Sequence, residues 1–145
     1  MNDLPAAIAK GTSDTTIFEL LHAAHALEDR VEVALSKAGL SMPKYSVLTA
    51  LVETGEPVSL SELATRLSCV RSNMTQLVDR LEAEGLVRRV DDPADRRIVK
   101  AAITESGRAK QSLGLERIKE LHRDFSTNVV DSDRAAVGRL LSALK

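Results

Sequence analysis

Residues 59–85 of the chain, SLSELATRLSCVRSNMTQLVDRLEAEG, decide the fold. Ser59 and Glu62 have the spacing of a capping box, and the helix that follows repeats apolar residues at i, i+3, i+4 and i+7: Leu60, Leu63, Ala64 and Leu67. Residues 68–70 then lead directly into a second helix, which ends at Gly85. Two short helices joined by so tight a turn must cross steeply, so the stretch predicts a helix-turn-helix.

The second helix of this pair, over residues 71–84, has two chemically different faces. Its apolar side is made of Met74, Leu77, Val78 and Leu81, and the opposite side carries Ser72, Thr75, Gln76 and Asp79. Hydroxyl, amide and guanidinium groups are the ones that contact base edges and phosphates in a major groove. Any amphipathic helix has a polar face. This pattern therefore indicates DNA binding only together with the tight turn before the helix and the hairpin after it. The candidate DNA-reading residues are Arg71, Ser72, Asn73, Thr75, Gln76 and Arg80.

A β-hairpin with a charged tip is predicted after Gly85. Residues 86–90 and 97–103 have strand-like patterns, and residues 91–95 supply turn chemistry. Guanidinium groups at such a tip can enter a minor groove or bridge phosphates. An edge hairpin that uses charge against aggregation is the alternative, but it does not explain paired arginines directly after a helix-turn-helix. The candidate wing residues are Arg88, Asp95, Arg96 and Arg97, with Asp95 close enough to hold one arginine.

Long helices are predicted on both sides of this lobe. Apolar residues recur at helical spacing over residues 15–35, a helix containing Tyr45 runs to residue 54, and two further helices follow Thr104 and Asp131. The stripes at residues 17–35 and 137–144 offer more apolar face than one small domain covers. Burying them favours a homodimer, whose recognition helices about 34 Å apart would contact a palindromic site. The alternative is that these faces pack within one chain.

Composition and charge fit one globular domain. The chain has 145 residues with 43% hydrophobic content, and we expect a DNA-binding lobe at residues 57–104 and dimerisation helices at residues 15–38 and 105–145. The net charge is −1, yet eight basic and six acidic side chains lie between residues 66 and 100, so non-specific affinity should be modest and salt-sensitive. The single cysteine and the absence of a secretory or membrane-spanning pattern favour the cytoplasm, with no membrane contact.

Five motifs follow one another between about Val58 and Arg108: Leu60-Ser61-Glu62-Leu63-Ala64, Leu77-Val78-Asp79-Arg80-Leu81-Glu82, Glu84-Gly85-Leu86-Val87-Arg88-Arg89, Asp92-Pro93-Ala94-Asp95-Arg96-Arg97 and Ile103-Thr104-Glu105-Ser106-Gly107-Arg108. In this order and spacing they resemble the MarR family of bacterial regulators. The resemblance implies a mainly α (α+β) winged helix-turn-helix whose terminal helices pack about a two-fold axis. It also implies that Ser72, Thr75 and Gln76 contact DNA in the major groove, that Asp95 lies in the wing and that Arg97 reaches the minor groove. Two departures are Ser68, where a turn glycine is common, and Val70, where a capping Ser or Thr is usual.

The resemblance further implies a small aromatic or phenolic effector that lowers the affinity for DNA. We expect a repressor, although the sequence by itself is equally compatible with activation. The cleft for it would lie between the dimer helices and the DNA-binding lobe, and Phe18, His22 and Tyr45 are candidates to line it. His22 and His25 have metal-ligand spacing, but no Cys/His cluster supports them, so no metal site is expected. Cys69 fits the role of a small buried apolar residue rather than a sensor thiol.

Two other classes of function compete with this interpretation. A winged helix that only binds proteins would have the same fold but no specific DNA site. An enzyme is disfavoured because the chain has three histidines, no Gly-rich phosphate loop, no Gly-X-Ser-X-Gly motif and no nucleophile–base set. The sequence therefore predicts a sequence-specific regulator of double-stranded DNA that needs no cofactor.

Overall fold

The computed structural model describes residues 16–144, and in that range it has six helices and three strands. In chain order they are α1 (Thr16–Ser36), α2 (Met42–Thr54), β1 (Val58–Ser59), α3 (Leu60–Arg66), α4 (Arg71–Ala83), β2 (Val87–Asp91), β3 (Val99–Ile103), α5 (Glu105–Ser126) and α6 (Asp131–Ala143). The expected mainly α winged helix-turn-helix is confirmed. The predicted start of the first helix at residue 15 lies outside the described residues, as do residues 1–14 and residue 145 of the expected domain.

The turn between α3 and α4 contains both of the departures noted in the sequence. Ser68 adopts a left-handed backbone with φ of 50°, the conformation for which a glycine is usual. Val70 is the N-cap of α4 and supplies no side-chain hydrogen bond to it. The Ser59 hydroxyl, by contrast, accepts a 3.2 Å hydrogen bond from the backbone N–H of Glu62 and caps α3. The Glu62 carboxylate, expected to complete a capping box, is instead paired with Arg66.

The sheet has one strand more than the sequence predicted. β3 is central: Ala101 pairs with Arg89 of β2 on one side and with Val58 of β1 on the other, which gives the order β1-β3-β2. β3 begins at Val99 rather than at the expected residue 97. The reason is that the backbone N–H of Ile98 donates to the carbonyl oxygen of Asp95 at 2.9 Å, which keeps Arg97 and Ile98 in the turn.

One hydrophobic core joins α2, α3, α4, the sheet and the C-terminal end of α1. Its fully buried members include Leu35, Leu48, Leu51, Leu63, Met74, Val78 and Leu81. The start of α5 packs closely on this lobe through two glycines. A Cβ atom at Gly107 would lie 2.0 Å from the carbonyl oxygen of Leu86, and one at Gly114 would lie 2.7 Å from the Tyr45 ring. The first half of α5 is therefore fixed against the lobe.

The outer helices are largely uncovered. In α1 only Ala34 and Leu35 are buried, and α6 has no buried residue. The expectation that the two apolar stripes exceed what one chain covers is confirmed: Ile17 is 66% exposed and Leu144 is 76% exposed. Among residues 16–144, no helix is both long enough and apolar enough to cross a lipid bilayer.

Candidate nucleic-acid interface

The polar face of α4 lies at the surface of the molecule. The candidate reading residues Arg71, Ser72, Asn73, Thr75, Gln76 and Arg80 are all exposed. Met74, Val78 and Leu81 are fully buried on the other side, and Leu77 is half-buried. Thr75 uses its hydroxyl to donate a 3.1 Å hydrogen bond to the carbonyl oxygen of Arg71, one turn earlier in the helix. The helix thus presents short polar side chains and flanking guanidinium groups to the outside.

The wing holds Arg97 in a defined position at its tip. Asp95 accepts three hydrogen bonds of 3.0 Å from Arg97: one from the backbone N–H, one from Nε and one from a terminal guanidinium nitrogen. These bonds, the side-chain ones foremost, hold the pKa of Asp95 below its ordinary value. The Arg97 side chain nevertheless remains 90% exposed. Its guanidinium is therefore pre-oriented but still accessible, as a group that enters a DNA groove must be.

Asp92 organises the turn that carries this arginine. Its carboxylate accepts hydrogen bonds from the backbone N–H groups of Ala94 at 2.8 Å and Asp95 at 3.2 Å, and it pairs with Nζ of Lys100 at 2.7 Å. The Lys100 hydrogen bond is the largest cause that lowers the pKa of Asp92. An aspartate that bonds the backbone two residues ahead is a common turn-forming device. The sequence signalled the turn but not the role of Lys100.

A groove of about 360 Å³ separates α4 from the wing. Arg71 and Thr75 of α4 line it on one side and Arg97 of the tip on the other, so the structure brings the two predicted DNA-binding elements together around one concave surface. The full lining is Ser59, Leu60, Ser61, Arg71, Thr75, Arg89, Arg97, Ile98 and Val99. Seven candidates do not line this groove: the exposed Ser72, Asn73, Gln76, Arg80, Arg88 and Arg96, and the half-buried Asp95.

Arg89 is a residue of this region that the sequence analysis missed. Its guanidinium donates to Glu82 at 2.6 Å and also to Asp79, and its backbone N–H donates to Glu82 at 2.9 Å. The backbone hydrogen bond, followed by the guanidinium one, lowers the pKa of Glu82. Asp79, placed by the sequence on the open polar face, is thus tied to the wing. Acidic residues three apart on α4 and an arginine on the next strand were the available signal.

The candidate effector residues do not form one cleft within a single chain. Tyr45 packs against Gly114 of α5, next to the end of α1 that contains Leu35. Phe18 is exposed near the other end of α1, roughly 25 Å away at 1.5 Å per helical residue, and the exposed His22 is one turn further along. A cleft of about 300 Å³ between α1 and α5 has other lining residues: Asp29, Arg30, Val33, Ala34, Lys37, Arg117, Glu120, Leu121 and Asp124.

The residues considered for metal or redox sensing have ordinary surroundings. His25 lies 3.2 Å from Glu28 on the exposed face of α1. Within residues 16–144, no group of three or more His, Cys, Asp or Glu residues is placed to hold a metal ion. Cys69 is half-buried against the core rather than fully buried as expected, because it lies in the tight turn, where its thiol donates to the carbonyl oxygen of Val70 at 3.5 Å.

Comparison with known proteins shows that the chain is similar to HTH-type transcriptional regulators. A family model described as "MarR family" matches residues 40–99, which span the helix-turn-helix and most of the wing. The regulator YfiV of Bacillus subtilis is 38% identical over 75% of this chain and 72% of its own length. The regulator PecS of Dickeya dadantii is 31% identical over 79% of this chain and 72% of its own length. Both are described as HTH-type transcriptional regulators.

Solved structures extend the similarity to nearly the whole chain. A MarR-family transcriptional regulator from Rhodococcus sp. RHA1 has a TM-score of 0.77 and 30% identity, covering 93% of this chain and 95% of that one. CouR from Rhodococcus jostii RHA1, bound to p-coumaroyl-CoA, has a TM-score of 0.75 and 30% identity, covering 93% and 94%. A mutant MarR from E. coli complexed with operator DNA has the same fold, with a TM-score of 0.76, 22% identity and coverage of 92% and 99%.

Proposed function

The chain belongs to the MarR family of DNA-binding transcriptional regulators, and from this premise we propose that it is a repressor that binds a palindromic operator as a homodimer. The observation that carries the proposal is the groove between α4 and the wing, which Arg71, Thr75 and Arg97 line from its two sides. A helix and a hairpin tip on the two sides of such a groove suit the adjacent major and minor grooves of B-form DNA.

In this proposal the two elements have different tasks. The short side chains Ser72, Thr75 and Gln76 contact base edges from the exposed face of α4, with Arg71, Asn73 and Arg80 beside them for bases or phosphates. Arg97 enters the minor groove, held by Asp95 but 90% exposed, and Arg88 and Arg96 contact the backbone nearby. Base contacts then provide specificity, while the wing contributes affinity for any duplex.

The uncovered outer helices support the homodimer. Leu20 and Leu21 on α1 are 37% and 55% exposed, and Leu140 and Leu141 on α6 are 41% and 57% exposed. Leu144, directly after α6, is 76% exposed. A second copy related by a two-fold axis buries such stripes against identical ones and places two α4 helices on one face. With helices about 34 Å apart, a dimer contacts two half-sites one turn apart on the same side of the duplex, hence a palindrome.

We place the effector site between chains rather than within one. Phe18, His22 and Tyr45 are separated in the single chain, so a cleft that uses all three requires residues from both protomers. CouR, similar to this chain at 30% identity, was solved with p-coumaroyl-CoA, which supports an effector that carries a phenolic group. Calorimetry with phenolic acids such as salicylate tests this part: heat should appear and DNA affinity should fall, whereas a flat titration counts against it.

Selection from a pool of random duplexes at moderate salt tests the function itself. The proposal predicts an enriched palindrome whose half-site centres lie about ten base pairs apart. Placing that palindrome over a promoter should then lower transcription in a purified system when the protein is added. A protein-interaction module with the same fold would enrich no sequence, and activation instead of repression would contradict the regulatory direction.

A further inference from the structure

Arg89 joins the two DNA-facing elements. It lies on β2, the first strand of the wing, and both of its carboxylate partners, Asp79 and Glu82, lie on α4. Its backbone N–H also donates to Glu82. A planar guanidinium that binds two carboxylates in fixed directions restricts orientation more than a single flexible ion pair does. One side chain therefore couples the direction of the wing to that of the recognition helix.

The environment of Arg89 differs from that of the arginine at the tip. The Arg89 side chain is 27% exposed and engages two acidic groups, whereas that of Arg97 is 90% exposed and engages one. Burial by itself lowers the pKa of Arg89, but the hydrogen bonds to Asp79 and Glu82 raise it above its ordinary value. With its charge compensated by two carboxylates, Arg89 is poorly suited to attract a phosphate, although it lines the same groove.

We propose that Arg89 is a positioning residue for DNA discrimination: by holding α4 and the wing at one angle, it lets both elements occupy their grooves at once on the preferred sequence. This inference rests on the proposed DNA-binding function. Non-specific binding uses phosphate contacts that tolerate small changes of angle. Sequence-specific binding requires base edges and side chains to align, so it alone depends on the angle.

The experiment compares two duplexes of equal length: the one selected by the wild-type chain and a random-sequence one. Binding of each is titrated over a range of salt concentrations for R89M, R89K, D79N and E82Q, with folding checked by circular dichroism. Arg66→Met is the matched control, because Arg66 pairs with Glu62 on α3, away from the junction of α4 and the wing. We expect this control to remain within about twofold of wild type.

The expected result is a loss of specificity without a loss of phosphate contacts. R89M should lower the ratio of specific to non-specific affinity about tenfold, comparable to losing one well-placed base contact. The slope of log affinity against log salt should not change, and R89K should recover part of the ratio. D79N and E82Q should lower the ratio as well, even though removing an acidic group favours binding to any duplex.

Opposite results identify the competing roles. If Arg89 contacts phosphate, R89M weakens both duplexes and reduces the salt slope by about one, and E82Q strengthens specific binding by freeing the guanidinium. If Arg89 only stabilises the fold, R89M lowers Tm but the folded protein discriminates like the Arg66→Met control. If R89M does not fold, D79N and E82Q distinguish these roles. A positioning role predicts a lower ratio of specific to non-specific affinity in both variants, whereas a phosphate contact predicts stronger specific binding by E82Q. If the wild-type chain selects no sequence, the proposed function fails and this inference fails with it.

Discussion

The DNA-facing lobe and the outer helices are built in opposite ways. In the lobe, α3, α4 and the sheet share a core with fully buried residues such as Leu63, Met74 and Leu81, and ion pairs fix Arg89 and Arg97. In α6 every apolar residue remains accessible, and in α1 only two residues are buried. The core of the lobe is therefore covered within one chain, whereas the outer helices leave apolar stripes uncovered. In the proposed function, the first region contacts DNA and the second forms the homodimer.

Disrupting the exposed stripe of the outer region should cause the largest loss of DNA affinity. The double substitution Leu140→Glu/Leu141→Glu places two charges on the exposed stripe of α6, so we expect monomers. Affinity for a palindromic duplex should fall about 10²–10⁴-fold, because the second half-site is no longer linked to the first. Sedimentation and titration measure both effects. Ser142→Glu adds charge to the same helix and is the control; a double variant that stays dimeric with full affinity refutes the assignment.

Truncating a core side chain of the lobe should lower the free energy of unfolding more than truncating an exposed side chain of the outer region. Leu81 is fully buried, so Leu81→Ala should lower the free energy of unfolding by about 2–5 kcal/mol. Leu144 is 76% exposed, so Leu144→Ala, made in the monomeric background, should change it by no more than about 0.5 kcal/mol. Urea denaturation followed by circular dichroism measures both. Equal losses would mean that the two regions are not built differently.

Substitutions in α4 and in the wing should have different effects on DNA binding. Gln76→Ala should cost about 1–3 kcal/mol at one base position and relax the preference there. Arg97→Ala should weaken binding to every duplex and reduce the salt slope by about one. Titration against a panel of single-base variants at several salt concentrations distinguishes these patterns. If both variants bind the selected site like wild type, the assignment of these residues is wrong.

A better N-cap should raise the free energy of unfolding when it is placed on α4 of the lobe but not when it is placed on α6. Val70 and Val130 are both N-caps without a side-chain hydrogen bond. Val70→Ser should stabilise the chain by about 1 kcal/mol, because α4 belongs to the cooperative core. Val130→Ser in the monomeric background should leave the unfolding free energy of the lobe unchanged, since α6 has no buried residue. Chemical denaturation compares the two variants; a gain from Val130→Ser equal to that from Val70→Ser contradicts the comparison.

The smallest effect expected is a pH dependence of the stability of the lobe. Hydrogen bonds lower the pKa of Glu82, from the backbone N–H of Arg89 first, and that of Asp95, from the Arg97 side chain first. A lowered pKa in the folded state gives stability that is present above the unfolded pKa and is lost as pH falls through the folded one. Glu82→Gln should therefore flatten the loss of unfolding free energy on acidification from neutral pH. Denaturation at several pH values checks this, and an unchanged acid slope would argue against the Arg89 contacts.

What the sequence predicted well was local in origin. The helix ends at Ser59 and Gly85 follow from capping and turn chemistry, and the buried face of α4 follows from the 3.6-residue period. The β1 strand was missed because two residues carry no period and become a strand only by pairing with β3. The contacts of Arg89 with Asp79 and Glu82 were missed because they link different elements. The effector cleft could not be located, because its candidate residues are distant within one chain.

Hydroxyl-radical footprinting on the selected duplex shows which grooves the protein occupies. We expect two symmetric sets of protected sugars, their centres about one helical turn apart on one face, with flanking minor-groove protection that Arg97→Ala removes and Gln76→Ala retains. A single protected half-site, or flanking protection that is unchanged in Arg97→Ala, would contradict the claim that a dimer uses α4 and the wing in adjacent grooves.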